Sequence, residues 1–232
     1  MSHYQIITDP DALRDFIDWL PNLRPNEQYY LCLFARKKYA PGMQGIKTDK
    51  SQMKRFTSCK ERMFNKIRQL ECPIGAYTHR DIPIPQEALA LYVSPSPRDL
   101  QRATIESLIN LAKKVKDGNP NMNPHQEVMS TIQRTRSRKT VITFDIDSKD
   151  PAILNELRSI SKDAVSVIET RGGYHFLVRP ELMPEDNGQW YQQFAKYADI
   201  KGDALCPVVG TSQGGYTPFF LQKSLPFNDD IS

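Results

Sequence analysis

The sequence has no C-x-x-C pair: its four cysteines, Cys32, Cys59, Cys72 and Cys206, are scattered. That excludes a zinc knuckle and argues against a disulfide framework, so all four are expected to be free thiols. Long apolar runs are missing too. The longest, from Tyr29 to Ala35, falls far short of the roughly 20 residues of a membrane helix, so no membrane partner is expected. The opening residues MSHYQIITDP carry no basic start followed by an apolar stretch, which makes a cytoplasmic location the expectation. His3, His79, His125 and His175 are the only histidines and form no H-x-H pair, which disfavours a relaxase-type metal site. There is no internal repeat and no helicase-type phosphate loop.

What is present fits a folded chain of one large domain or two small modules. Its 232 residues are 39% hydrophobic and 25% charged, which excludes a wholly disordered or collagen-like polymer. The formal net charge of +4 hides an uneven distribution. Residues 36 to 68 hold eleven basic residues against two acids, and the rest of the chain sums to −5. A second basic cluster follows at Arg134, Arg136, Arg138 and Lys139.

Asp9-Pro10 predicts a capped helix carrying Leu13, Phe16, Ile17 and Leu20, closed by Pro21. Residues 29 to 36 are strand-prone. Gly42 and Gly45 interrupt, and a second helix is predicted with Met53, Phe56, Met63, Phe64, Ile67 and Leu70. Residues 89 to 93 read as a strand. Ser96 with Asp99 suggests a capping box for a helix whose apolar stripe is Leu100, Ala103, Leu108, Leu111 and Val115. Residues 117 to 139, rich in asparagine and proline, read as a basic connecting loop. Beyond it lie a strand at 141 to 147, a helix opened by Asp150-Pro151, strands at 165 to 169 and 174 to 178, a helix from about Pro184, and a last strand near 217 to 221. The expected class is α+β: an N-terminal α/β module over 1–116, the loop 117–139, and a β-α-β-β-α-β module over 140–232, ferredoxin-like or RNA-recognition-like.

Three places carry candidate chemistry. Asp145 and Asp147, two apart in a strand, share one face while Phe144 and Ile146 take the other. Adjacent carboxylates repel unless a cation lies between them, and hard oxygen ligands suit Mg²⁺ or Mn²⁺; the bland reading is a solvated strand end. In Thr170-Arg171-Gly172-Gly173-Tyr174-His175, the glycines read either as a turn needing positive φ or as bare backbone beside a phosphate gripped by Arg171 and His175. The third is Asp203, in the stretch from Lys201 to Gly215. Asp199, Asp229 and Asp230 compete with it as a third carboxylate, and periodicity does not rank them.

The ordered set F-D-I-D at 144 to 147, G-G-Y-H at 172 to 175, and G-D followed by P-V-V-G-T-S-Q-G-G at 202 to 215 resembles the archaeo-eukaryotic primase superfamily, including phage and plasmid primase-polymerases. Steps of 28 residues separate Asp147 from His175 and His175 from Asp203. The resemblance covers about 140 to 221 and implies two metal-binding acids, a histidine on the incoming triphosphate and a third acid. It also implies an N-terminal module packed on the recognition-like sheet, with the site between them. Cys206-Pro207 stands where such chains often carry arginines.

The implied function is a template-dependent nucleotidyltransferase, a DNA primase or primase-polymerase of bacterial, phage or plasmid replication. Asp145, Asp147 and Asp203 would hold two ions, Mg²⁺ or Mn²⁺. Thr170, Arg171, Gly172, Gly173 and His175 would bind the nucleoside triphosphate. Lys37, Lys38, Lys54, Arg55, Arg134, Arg136, Arg138 and Lys139 would bind single-stranded DNA template, with unwinding left to a separate helicase or replication protein. The rivals are a non-catalytic single-strand binder, disfavoured because the central strand carries acids where aromatics are usual, and a metal-dependent nuclease.

Overall fold

Asp9 opens the first helix as read from the sequence. Its carboxylate accepts the N–H groups of Asp11 and Ala12, Pro10 occupies the first turn, and α1 (Pro10–Trp19) buries Leu13, Phe16 and Ile17. The computed structural model describes residues 2–43, 46, 48–49, 51–118, 122–184 and 189–227. Gly45, Lys47, Lys50, Asp229 and Asp230 lie outside them.

The central strand of the first sheet is β1 (Glu27–Ala35), apolar on both faces. It pairs antiparallel with β2 (Ser51–Ser58) and with β5 (Leu89–Val93). Met53 and Phe56 therefore lie in a strand, not in the predicted helix: the β1 register places Phe56 opposite Leu31 and Lys54 opposite Leu33. Only after Cys59 does helical spacing take over, in α2 (Lys60–Arg68), which buries Met63 and Ile67. A small hairpin of β3 (Thr78–His79) and β4 (Ile82–Pro83) follows, and β6 (Arg98–Asp99) joins the start of β1.

Helix α3 (Leu100–Lys116) is capped by Asp99, whose carboxylate accepts the Arg102 N–H. Ser96 is no cap. It is buried, and its hydroxyl donates to the Val141 carbonyl. The expected loop over 117–139 contains a further helix, α4 (Pro124–Arg134), packed on α3. Asn123 accepts the Gln126 N–H and Pro124 holds the first turn, so this Asn-Pro pair is a cap rather than a breaker.

The second sheet contains β7 (Ile142–Ile146), β8 (Val165–Glu169), β9 (Tyr174–Val178), β10 (Ile200–Gly202) and β12 (Phe219–Gln222), in the order β10-β7-β9-β8-β12. With α5 (Pro151–Arg158) and α6 (Trp190–Ala195), the run from β7 to β10 has β-α-β-β-α-β connectivity. The closing strand of that run is β10, three residues long. The strand predicted near 217 to 221 forms as β12 but adds to the opposite edge, beside β8. Phe144, Ile146, Val167 and Phe176 pack with Leu157 and Phe194 from the helices. Ile168 and Leu177 instead join the core shared with α1 and the first sheet.

The expected boundary at 140 does not separate two units. Strand β11 (Cys206–Pro207) lies beside β5 in the first sheet, and Val208 and Val209 enter its core. The carbonyl of Gly210 then accepts the N–H groups of Thr8 and Asp9 before the chain returns to the second sheet. Gly210 has φ +76, and a Cβ there would sit 2.5 Å from the Asp9 carbonyl oxygen and 2.6 Å from the Leu13 nitrogen. Gly210→Ala is expected to cost about 2–4 kcal/mol, read as a lower urea midpoint with an unchanged slope.

Candidate active site

Strand β7 builds the site by alternation. Phe144 and Ile146 are buried under the helices, while Asp145 emerges on the other face and Asp147 just beyond the strand end. β9 pairs in a register that sets His175 opposite Asp145, and the imidazole Nε2 lies 3.0 Å from the Asp145 Oδ1. The other ring nitrogen, Nδ1, is buried without a hydrogen-bond partner among the described residues.

These residues line a cavity of about 340 Å³ whose far wall comes from the first sheet and the segment that follows it. Phe34, Arg36, Lys38, Tyr39 and Tyr92 face Asp145, Asp147, Thr170, Gly172 and His175, with Gln133 of α4, Leu205 and Gln213 closing the sides. Burial alone pushes the Asp145 carboxyl up. The His175 hydrogen bond and the charges of His175, Lys38 and Arg36 outweigh it and hold the group below its ordinary value. A depressed carboxyl stabilises the fold above the unfolded-state pKa, and that contribution is lost as pH falls through the folded-state value.

The Gly-Gly turn is not there to supply positive φ. Neither Gly172 nor Gly173 is among the positive-φ glycines. Gly173 is required by close approach: a Cβ would overlap the Ile146 carbonyl oxygen and lie 2.7 Å from the Ser148 nitrogen. At Gly172 the nearest atom to an added Cβ is the Asp147 Oδ1 at 3.5 Å, so its bareness leaves room beside the carboxylate rather than relieving strain. Thr170 closes the turn, its hydroxyl accepting the Gly173 N–H at 3.1 Å. Arg171 is already engaged: its guanidinium donates to the Gly214 carbonyl at 2.5 Å and lies 4.8 Å from the centre of the Tyr39 ring.

Sequence reasoning passed over a relay across the cavity wall. Gln213 accepts the Arg171 backbone N–H at 3.0 Å and donates to the Tyr92 hydroxyl at 3.2 Å. That hydroxyl also accepts from Arg36 at 2.6 Å. Gln213 thus links the Gly-Gly turn to the guanidinium that faces Asp145. Its only signal was membership of the P-V-V-G-T-S-Q-G-G stretch, and Arg36 was one of eleven cations in its window.

Asp203 stands elsewhere. Gly202 pairs opposite Thr143, so Asp203 leaves the sheet near Ile142, three positions and about 10 Å along the strand from Asp145. Both its oxygens are taken by Arg98, at 2.5 and 3.0 Å, with the Arg98 side chain 1% exposed and that of Asp203 25%. Its assignment as third carboxylate is therefore corrected to a structural ion pair. The acid that does approach is Asp199, whose Oδ2 accepts the Asp147 N–H at 3.3 Å. Among the described residues no three His, Cys, Asp or Glu side chains converge as a ready-made metal cage.

The basic candidates divide. Lys38 lines the cavity, Lys37, Lys54, Arg134 and Lys139 are exposed, and Arg136 is half-buried beside β6. Arg55 is buried and donates to Ser130 and Gln126 of α4, so it fastens that helix and is not a surface contact. Arg138 grips Glu27 with two nitrogens, at 2.9 and 3.0 Å, and is likewise structural. No helix among the described residues is long and apolar enough to cross a membrane. Comparison with family models, with curated proteins and with solved structures returns no match.

Two outcomes are expected. Asp203→Ala strands the buried Arg98 guanidinium and lowers unfolding free energy by roughly 2 kcal/mol in urea titration, less than for a fully enclosed pair because the carboxylate is partly exposed. His175→Leu removes the strongest influence opposing burial, so the Asp145 carboxyl, followed by carbon-13 NMR, should titrate at higher pH than in the parent.

Proposed function

We propose that the chain is a template-dependent nucleotidyltransferase of the primase-polymerase kind, joining nucleotides by two-metal phosphoryl transfer. The observation that carries the reading is the meeting, on one cavity, of Asp145, Asp147 and His175 from one sheet with Arg36 and Lys38 from the other wall. Carboxylates and cations are there arranged around a space of the size that holds a small ligand. An acidic floor with cationic flanks suits a triphosphate, which needs both metal ligands and direct charge partners.

The donor set suits a hard divalent ion. Asp145 is held ionised, and Mg²⁺ commonly takes only one or two carboxylates, leaving its other positions to water and substrate phosphates. Asp145 and Asp147 would hold Mg²⁺ or Mn²⁺, with Asp199 in place of Asp203 as the nearby third acid. Bound there, such ions would supply charge neutralisation on the transferring phosphate and would ease deprotonation of the attacking 3′-hydroxyl. Arg36 and Lys38 would grip the triphosphate from the opposite wall, and His175 would add a contact while orienting Asp145. Gln213 and Tyr92 would hold Arg36 in place. Arg171 serves by fixing the turn against Gly214, leaving the bare Gly172 backbone open beside Asp147. Phe34, Tyr39 and Leu205 offer apolar surface to a base.

Lys37, Lys54, Arg134, Arg136 and Lys139 would meet single-stranded DNA template through its phosphates, a contact that weakens steeply with salt. A cytoplasmic setting in bacterial, phage or plasmid replication, with a separate helicase, completes the reading.

The test supplies single-stranded template, labelled nucleotides and Mg²⁺ or Mn²⁺, with and without primer. Incorporation by the parent chain should fall at least about a thousandfold in Asp145→Ala with Asp147→Ala. Incorporation that survives the double substitution overturns the site. Template degradation without incorporation identifies a nuclease, and tight binding without chemistry a binding module.

A further inference from the structure

Helix α3 is turned against its own pattern. The face it packs on α4 is small and polar: Ala103 and Ser107 are buried, Asn110 donates to Glu127 at 3.1 Å, and Lys114 reaches the same carboxylate at 2.5 Å. Most of its large aliphatic residues point the other way. Ile105, Leu108, Ile109 and Val115 are 49% to 64% exposed, four of the ten exposed large hydrophobics among the described residues. With the exposed Ala112, they recur at helical spacing as one stripe. The stripe read from the sequence is split by the fold: Ala103 is buried with Met129 and Ile132 of α4 and Leu100 packs beside them, while Leu108 and Val115 do not enter the core. A contiguous stripe left in water by the fold is the mark of a surface that something else covers.

Charge selects among the occupants. At the start of the stripe Arg102 is neutralised by Glu106 at 2.8 Å. At its end Lys113 and Lys116 border the aliphatic residues, and among the described residues no ion pair engages either, whereas Lys114 is turned inward. A parallel second copy would stack the lysines, and one laid antiparallel about Leu108 and Ile109 would set them beside Arg102 and Glu106, which already neutralise each other; neither arrangement supplies Lys113 and Lys116 with a free counter-charge. A lipid surface is served by aromatic anchors and a long basic face. The exposed stripe of α3 has no aromatic residue, and its opposite face is fixed to α4. A helix with aliphatic residues at i, i+3, i+4 and i+7 and acids in its first turn satisfies both stripe and lysines. Running antiparallel to α3, it places those acids beside Lys113 and Lys116, where its own dipole also favours them.

We infer that the exposed aliphatic face of α3 docks an acidic amphipathic helix of a partner protein, antiparallel to α3. This surface is separate from the cavity and does not depend on the nucleotidyltransfer reading.

The probes are two labelled designed helical peptides with the same aliphatic stripe, one with glutamates in its first turn and along its flanks, the other with lysines there. Each is titrated with the full chain by fluorescence anisotropy. The glutamate peptide is expected to saturate and to bind at least about tenfold more tightly than the lysine peptide. Leu108→Gln with Ile109→Gln should abolish its binding, and Lys113→Glu with Lys116→Glu should reverse the preference. These side chains are exposed, so melting temperatures should stay at the parent value; if the first pair shifts it, Ile105→Gln with Val115→Gln takes its place. Equal affinity for the two peptides, or saturation by neither, overturns the inference. So does dimerisation in sedimentation that the Leu108 and Ile109 substitutions remove, which would make a second copy the occupant. Retention on phosphatidylserine vesicles that depends on the same residues would overturn it in favour of lipid.

Discussion

Asp145 and His175 meet because β7 and β9 are paired in one register, and most of the site follows from that contact. In that register Phe144 and Phe176 are also opposite one another, under α5 and α6, so a single helix-facing core and a single acid–imidazole pair are selected together. A slip of one residue would drive Asp145 among the aromatic rings and push Phe144 into the cavity. The cost of an unpaired carboxylate there far exceeds any gain in strand pairing. The close approach of Gly173 to the end of β7 fixes the same register at the turn, since no side chain fits between them.

The second organising feature is the route of residues 203 to 222. Arg98 at the edge of the first sheet holds Asp203 just after β10 of the second. The chain then supplies β11 to the first sheet, meets α1 at Gly210, turns past Tyr39 at Gly214 and returns as β12. The cavity lies where these crossings bring the two sheets together, and Gln213, on the crossing segment, touches both Tyr92 and the Gly-Gly turn. The cavity's shape is therefore a property of the interface between sheets and not of either sheet alone.

Several of these features were legible in the sequence because they rest on local rules. Alternation placed Asp145 and Asp147 away from Phe144 and Ile146, and Asp9-Pro10 and Asp150-Pro151 announced their helices. Asn123-Pro124 is the same capping signal, obscured by the surrounding asparagines and proline. Met53 and Phe56 fit helical spacing with Met63 and Phe64 by coincidence, and only pairing with β1 separates strand from helix. Strand β10 is too short to show a period, so the closing strand was sought in the longer run near 217 to 221. The remaining differences are long-range. Nothing local tells that Asp203 belongs to Arg98, that Arg55 and Arg138 are spent on Gln126 and Glu27, or that Arg36 turns toward Tyr92 on the wall that faces Asp145.

The crossing segment also bears on how the chain is made. On the ribosome, the first sheet can assemble β1, β2 and β5 as soon as residue 93 has emerged, but the free edge of β5 has no neighbour until Cys206 and Pro207 arrive. Synthesis proceeds at roughly 5–20 residues per second, so that open edge persists for seconds. During this interval its unpaired N–H and C=O groups are a template for any other extended strand. The order of the chain thus leaves one edge of the first sheet to be closed by residues made long after the strand they cover.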